Sequence, residues 1–314
     1  MATRTLLDRL KREADPERAC ELALDLLRDH RERQIVDAAL AKLKACMLGE
    51  SARAILRPTT LYYLDHPERD SGCNIRDALV RLLVEIGNPA DLDLYLRGVE
   101  VHEQLLGVDV AQTLRASSLV GIAMVDPPLG NAYAVTLLSD LADTSRFSGE
   151  PAMTALNLLH EQGDTTPIYL YLRMLGHVPA PEFPQVKVTP EVESKALELI
   201  AGDFPAALYR EVALPYVQAD RAIAEVGVVS YIVANARVEL FDLLETLVTQ
   251  TRHDDLHRYA VIEMAASRQT GLVNLLYRLA GTCPAKRARS YAEALELTSD
   301  ARRDELLAAL QKRM

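Results

Sequence analysis

Tyr95, Tyr133, Tyr171 and Tyr209 stand 38 residues apart in turn, and Tyr277 takes nearly the same slot later in the chain. A phenol ring is rigid, apolar on its body and polar at its tip. A row of such rings on an open side would line a groove that anchors a protein partner. The same row turned toward a neighbouring element is packing, with the hydroxyls reaching a rim. The spacing fits both placements, and these four tyrosines are the candidate binding residues.

His253 and His257, in His-Asp-Asp-Leu-His, stand four apart at the start of a helical segment. Two imidazoles at that spacing can share a metal. Asp254 and Asp255 occupy the place where a zinc protease carries its Glu, and aspartate at a helix start complements the helix dipole without any metal. The His253-Asp254 pair is similar to that of the all-α HD phosphohydrolases, but the surrounding His and Asp pattern does not continue. No metal and no cofactor is expected. His30, His66, His102, His160 and His177 fall at helix ends or in loops, where capping is their ordinary work. The sequence has no Gly-rich phosphate loop, no nucleophile elbow and no CxxC pair, so no catalytic residue is assigned.

The elements that carry these residues recur at a fixed period. Breaker clusters at Asp15, Gly49, Gly87, Asp126, Gly163, Gly202, Asn235, Arg268 and Ser299 are separated by 34, 38, 39, 37, 39, 33, 33 and 31 residues. Each lies between two segments of helical periodicity, such as Ile75, Leu79, Leu82, Leu83 and Ile86, followed by Leu92, Leu96 and Val99. Gly or Asn can close the last turn of one helix in the left-handed conformation. Asp or Asn caps the next, and Pro89, Pro127, Pro167 and Pro205 sit just inside it. Val226–Val233 is β-branched, yet its slot in the repeat predicts helix. A pair of helices this short cannot cover its own apolar face, so neighbours must stack. The expected fold is all-α, an α-solenoid of eight to nine antiparallel helical hairpins forming a single domain over 1–314.

The segment NIRDALVRLLVEIGNPADLDLYL, Asn74 to Leu96, resembles a HEAT repeat of the short bacterial type. The resemblance rests on Arg76 early in the first helix, the apolar ladder, the Ile86-Gly87-Asn88-Pro89 turn and the leucine-rich second helix. Ala152–Leu175 resembles the same unit. From Arg221 onward the hairpin period persists without the Gly-Asp/Asn-Pro turn. The tetratricopeptide repeat has a similar period, but its Trp and its Leu-Gly-x-x-Tyr signature are missing. The resemblance implies an α-solenoid that serves as a binding platform, with no catalytic residues to carry over.

The period is interrupted at 176–190, where GHVPAPEFPQVKVTP holds four prolines and predicts a stiff connector or a binding insertion. A looser stretch, 65–74, sets residues 1–70 apart as N-terminal capping hairpins. Charge is uneven. Residues 71–250 carry 11 Lys/Arg against 24 Asp/Glu, and residues 251–314 carry 11 against 8. The acidic middle favours a basic or amphipathic partner segment. Lys286, Arg287 and Arg289 predict a solvated basic cluster on a C-terminal cap.

With a net charge of −10, no Trp and few aromatics, the chain is a poor nucleic-acid binder. No apolar run is long enough for a membrane span, and the start lacks a secretory core. Cys20, Cys46, Cys73 and Cys283 are scattered, which predicts buried free thiols in a cytoplasmic protein. The expected function is a non-enzymatic interaction scaffold that holds a protein or peptide on its concave face. The alternatives on the same scaffold are a HEAT-like enzyme or chaperone, such as a bilin lyase, or a relative of the alkylpurine DNA glycosylases, which would want a basic face.

Overall fold

The computed structural model describes residues 3–139, 148–177 and 189–314. Among these residues the chain is all-α, with eighteen helices that follow one another as nine pairs. The pairs are α1 (Thr3–Arg12) with α2 (Pro16–Asp29), α3 (Arg33–Leu43) with α4 (Glu50–Asp65), α5 (Asn74–Ile86) with α6 (Leu92–Val99), and α7 (Gln112–Val125) with α8 (Pro127–Ser139). They continue as α9 (Ala152–Glu161) with α10 (Thr166–His177), α11 (Pro190–Glu198) with α12 (Ala206–Gln218), and α13 (Ala222–Asn235) with α14 (Phe241–Gln250). The last two pairs are α15 (Asp254–Ala266) with α16 (Thr270–Thr282) and α17 (Ala288–Glu296) with α18 (Arg303–Gln311). The strands among the described residues are β1 (Gln104–Leu105) and β2 (Val108–Asp109), antiparallel across Leu106 and Gly107.

All nine breaker clusters fall between the two helices of one pair. Gly87 closes α5 in the left-handed region at φ 69°, and Asn88 then accepts from the Ala90 N–H at 2.9 Å, so the chain reverses within three residues. Asp15 accepts from the N–H groups of Glu17 and Arg18, and Pro16 opens α2. Val226–Val233 lies inside α13: burial along the helix overrides β propensity there. The second-helix face is rotated from the expected Leu92, Leu96 and Val99. Leu94, Tyr95, Gly98 and Val99 are its buried residues, and Leu92 and Leu96 flank them. Most of the proline-rich stretch, 178–188, lies outside the described residues. Thr189 caps α11 with its side chain, and Pro190 is the first helical residue.

The chain divides into two compact units, Met1–Leu158 and Leu159–Met314. In the first, α1 packs on α3, α2 on α4, α3 on α5, α4 on α6, and α5 on α7. In the second, α10 packs on α12, α11 on α13, α12 on α14, α13 on α15, α14 on α16, α15 on α17 and α16 on α18. In these pairs a helix covers the next but one, and hairpin partners such as α7 with α8 and α17 with α18 also pack on each other. Glycines permit the tightest approaches: a Cβ on Gly227 of α13 would overlap the Ser194 carbonyl oxygen of α11.

Polar ties join the same pairs. The buried carboxylate of Asp91, ahead of α6, receives the Arg53 guanidinium at 2.8 Å through both oxygens and the Arg57 guanidinium at 2.8 Å. Arg57 also reaches Asp93. In the second unit Arg210 forks onto Asp242, and Arg278 onto Glu245, across successive second helices.

The expectation of four free thiols is corrected. Cys20 and Cys46 are joined in a disulfide, and Cys73 and Cys283 are free and buried. The antiparallel packing of α2 on α3 brings the two cysteines to a Cα–Cα distance of 6.0 Å across a sequence separation of 26, which scattered spacing conceals. No helix among the described residues is long and apolar enough to cross a membrane.

Two substitutions test this packing. Gly227→Ala forces α11 and α13 apart and is expected to cost roughly 2–4 kcal/mol in urea unfolding, despite alanine's better helix propensity. Asp91→Ala removes the buried acceptor that Arg53 and Arg57 share, leaving them Glu50 and Asp93, and should cost roughly 1–3 kcal/mol. The exposed Arg97–Asp65 pair is the control, and its removal should cost less than about 1 kcal/mol.

Candidate functional site

The third or fourth residue of each first helix from α5 to α17 forms a series: Arg76, Arg115, Thr154, Glu193, Glu225, His257 and Tyr291. Most of these side chains are buried, and polar groups at such positions need partners. Arg76 receives Asp70 at 3.1 Å and Glu103 at 2.5 Å. Arg115 receives Asp109 at 2.5 Å and donates to the Val101 carbonyl oxygen at 2.8 Å. In both cases the carboxylate lies six residues before the arginine, in the link that precedes the helix. Arg76 stands out in the sequence, whereas Asp70, Asp109 and the β-hairpin that carries Asp109 do not. The repeated Asp-x5-Arg spacing was the available signal.

In the second unit the series changes sign. Glu193 pairs with Arg221 at 2.6 Å. Glu225 is buried with its Oε1 unbonded, and burial, aided by the nearby Asp220 charge, pushes its carboxyl up to about 7. His257 is also buried. Desolvation, and then the Arg287 charge, hold its imidazole down to about 4, so it is neutral at pH 7.

The expected tyrosine row is on the second helices. Tyr95, Tyr171 and Tyr209 are buried and Tyr133 is half-buried. The Tyr95 ring lies against Gly121 of α7, where an added Cβ would sit 2.7 Å from it. Tyr209 stacks on Tyr231 at 3.8 Å between centroids and donates to the Leu197 carbonyl oxygen. Rings enclosed in this way offer no open face to a partner. Tyr133 places its hydroxyl 3.5 Å from Glu100. Tyr277 bonds Thr298 at 2.7 Å under the Arg302 guanidinium.

The two histidines of the HDDLH segment do not converge. His253 turns back to Asp220, whose carbonyl oxygen is 3.2 Å from its Nε2. His257 instead meets the Tyr291 ring edge-on at 5.0 Å. The basic cluster is corrected in one respect: Arg287 is buried rather than solvated, and it donates to the Thr251 carbonyl oxygen at 2.8 Å.

The first unit has a cleft of about 410 Å³ along α5, α7 and the start of α9. Arg81, Val84 and Glu85 come from α5, Ala116, Ser117 and Val120 from α7, with Glu150 and Thr154 at one end. Asp77 organises the floor: Ser117 Oγ donates to it at 2.6 Å, and Arg81 lies 3.1 Å from both it and Ser117. Arg81 is thus neutralised locally, leaving Glu85 and Glu150 as the uncompensated charges. Val120 and Met124, one turn apart on α7, are 37% and 57% exposed, and the Met124 methyl lies beside Gly87. An apolar strip flanked by two carboxylates suits binding rather than packing.

No protein-family model matches the chain, and no curated protein matches it.

Glu225 gives a pH test with a definite sign. Its carboxyl binds a proton more tightly folded than unfolded, so its contribution is fully present below about pH 4.5 and lost as pH rises through about 7. Glu225→Gln should match the parent near pH 4 and exceed it by roughly 1–3 kcal/mol near pH 8, read by urea unfolding at both values.

Proposed function

We propose that the chain is an α-solenoid of HEAT-like repeats that acts as a non-enzymatic scaffold, holding a basic amphipathic segment of a protein partner on the α5–α7 face. The cleft bounded by Arg81, Val84, Val120 and Glu150 carries this reading. Its exposed Val120 and Met124 can take the apolar side of a helix, at about 25 cal/mol per Å² covered. Glu85 and Glu150 are placed to meet Lys or Arg on the flanks of that helix, in keeping with the acidic balance of residues 71–250. Of the tyrosine row, Tyr95 belongs to this function, as support for the binding face. Tyr95 holds α7 from below at Gly121, one residue from Val120.

The repetition supports the solenoid. Nine hairpins share one turn position, and a helix covers the next but one from α1 to α7 and again from α10 to α18. Cytoplasmic placement goes with this proposal on the free thiols of Cys73 and Cys283 alone. Nucleic acid is a poor candidate for the same face, because its free charges are carboxylates.

A designed helical peptide with Leu at i, i+3 and i+4 and Lys elsewhere is the direct probe. Saturable binding with a Kd on the order of 10 µM is expected, and the counterpart with Glu in place of Lys should bind at least about tenfold more weakly. Val120→Glu and the charge reversal Glu85→Lys/Glu150→Lys should each weaken the Lys peptide about tenfold. Equal binding of both peptides, or indifference to these substitutions, would contradict the proposal.

A further inference from the structure

The second unit contains a partly open cavity of about 260 Å³ between the α14–α15 link and the α16–α17 link. Arg252 stands on the first link and Lys286 and Arg287 on the second, with His257 and Tyr291 behind them. None of the described residues that line it is Asp or Glu. Three cationic side chains thus share one small concavity in a chain whose net charge is −10.

One of its walls carries an unsatisfied polar atom and another a buried cation. Arg287 is 6% exposed: one guanidinium nitrogen donates to Thr251, and Nη1 is ion-paired with Asp254 at 3.2 Å. The Asp254 side chain is 87% exposed, so water screens that pair. His257 is 1% exposed and its Nδ1 makes no hydrogen bond. A buried donor left in that way costs about 1–3 kcal/mol. Beside a cavity with three cations and no carboxylate among its described lining residues, it marks a place for an acceptor that lies outside the protein's own groups.

We infer that this cavity binds a phosphate-class oxyanion, either inorganic phosphate or the phosphoryl group of a phosphomonoester. A guanidinium whose carboxylate partner is water-exposed can offer its fork to two oxygens of such a group. Lys286 and Arg252 supply the further positive charge that a dianion needs. Neutral His257, in its Nδ1–H tautomer, donates to a third oxygen and adds no charge.

The test is calorimetry on the full chain at constant ionic strength, with inorganic phosphate and methyl phosphate as probes, together with the His257 imidazole NMR signals. Saturable one-to-one binding of at least one probe is expected, with a Kd of roughly 0.1–1 mM and movement of the His257 signals. Binding of inorganic phosphate alone identifies the free ion, and binding of methyl phosphate identifies the phosphoryl group of an ester. Lys286→Gln and Arg252→Gln alter exposed side chains, so each should weaken binding at least about fivefold while the unliganded Tm stays within roughly 2 °C. No saturable binding of either probe below roughly 10 mM would overturn the inference. So would binding that both substitutions leave unchanged.

Discussion

A hairpin of two helices, each 8 to 16 residues long, has more apolar surface than its own partner helix can cover. This constraint governs the rest of the molecule. In each unit the excess is met by the neighbouring hairpin: α5 covers α7 and α13 covers α15, and so on along the unit. Burial supplies most of the free energy, at about 25 cal/mol per Å² of apolar surface. It is non-directional, however, and would tolerate a hairpin slipped by a turn.

Polar groups supply the register that apolar contact lacks. Asp91 can accept Arg53 and Arg57 in one relative placement of α4 and α6 only. Asp70 and Asp109 similarly tie the start of α5 and of α7 to the links before them. The series then changes chemistry at Glu193, Glu225 and His257, where one carboxyl is pushed up to about 7 and the imidazole is down to about 4. Both functional proposals arise where this pattern leaves something over. The α5–α7 face keeps exposed apolar side chains, and the α14–α17 cavity keeps an unbonded donor and cations without a carboxylate among its described lining residues.

The repeat was legible in the sequence because its punctuation is chemical. Gly87, Asn88 and Pro89 each have a backbone reason to stand at a turn, and related clusters recur as far as Gly202 and set the period that the later hairpins keep without that turn. The depth of side chains within a helix was less legible. The tyrosine spacing placed the row on second helices correctly, but only packing decides that Tyr95 lies under Gly121. Asp70 and Asp109 were hidden because a buried carboxylate looks like any surface acid until its arginine is found. The Cys20–Cys46 pair and the cavity around Arg287 depend on links that meet across more than twenty residues, which no local pattern reports.

Native-state hydrogen exchange in low concentrations of denaturant tests the central claim, that each hairpin is held by its neighbours. Amides should open in contiguous groups that match the hairpins, with free energies that step from one hairpin to the next. A single opening free energy shared by all protected amides would contradict it.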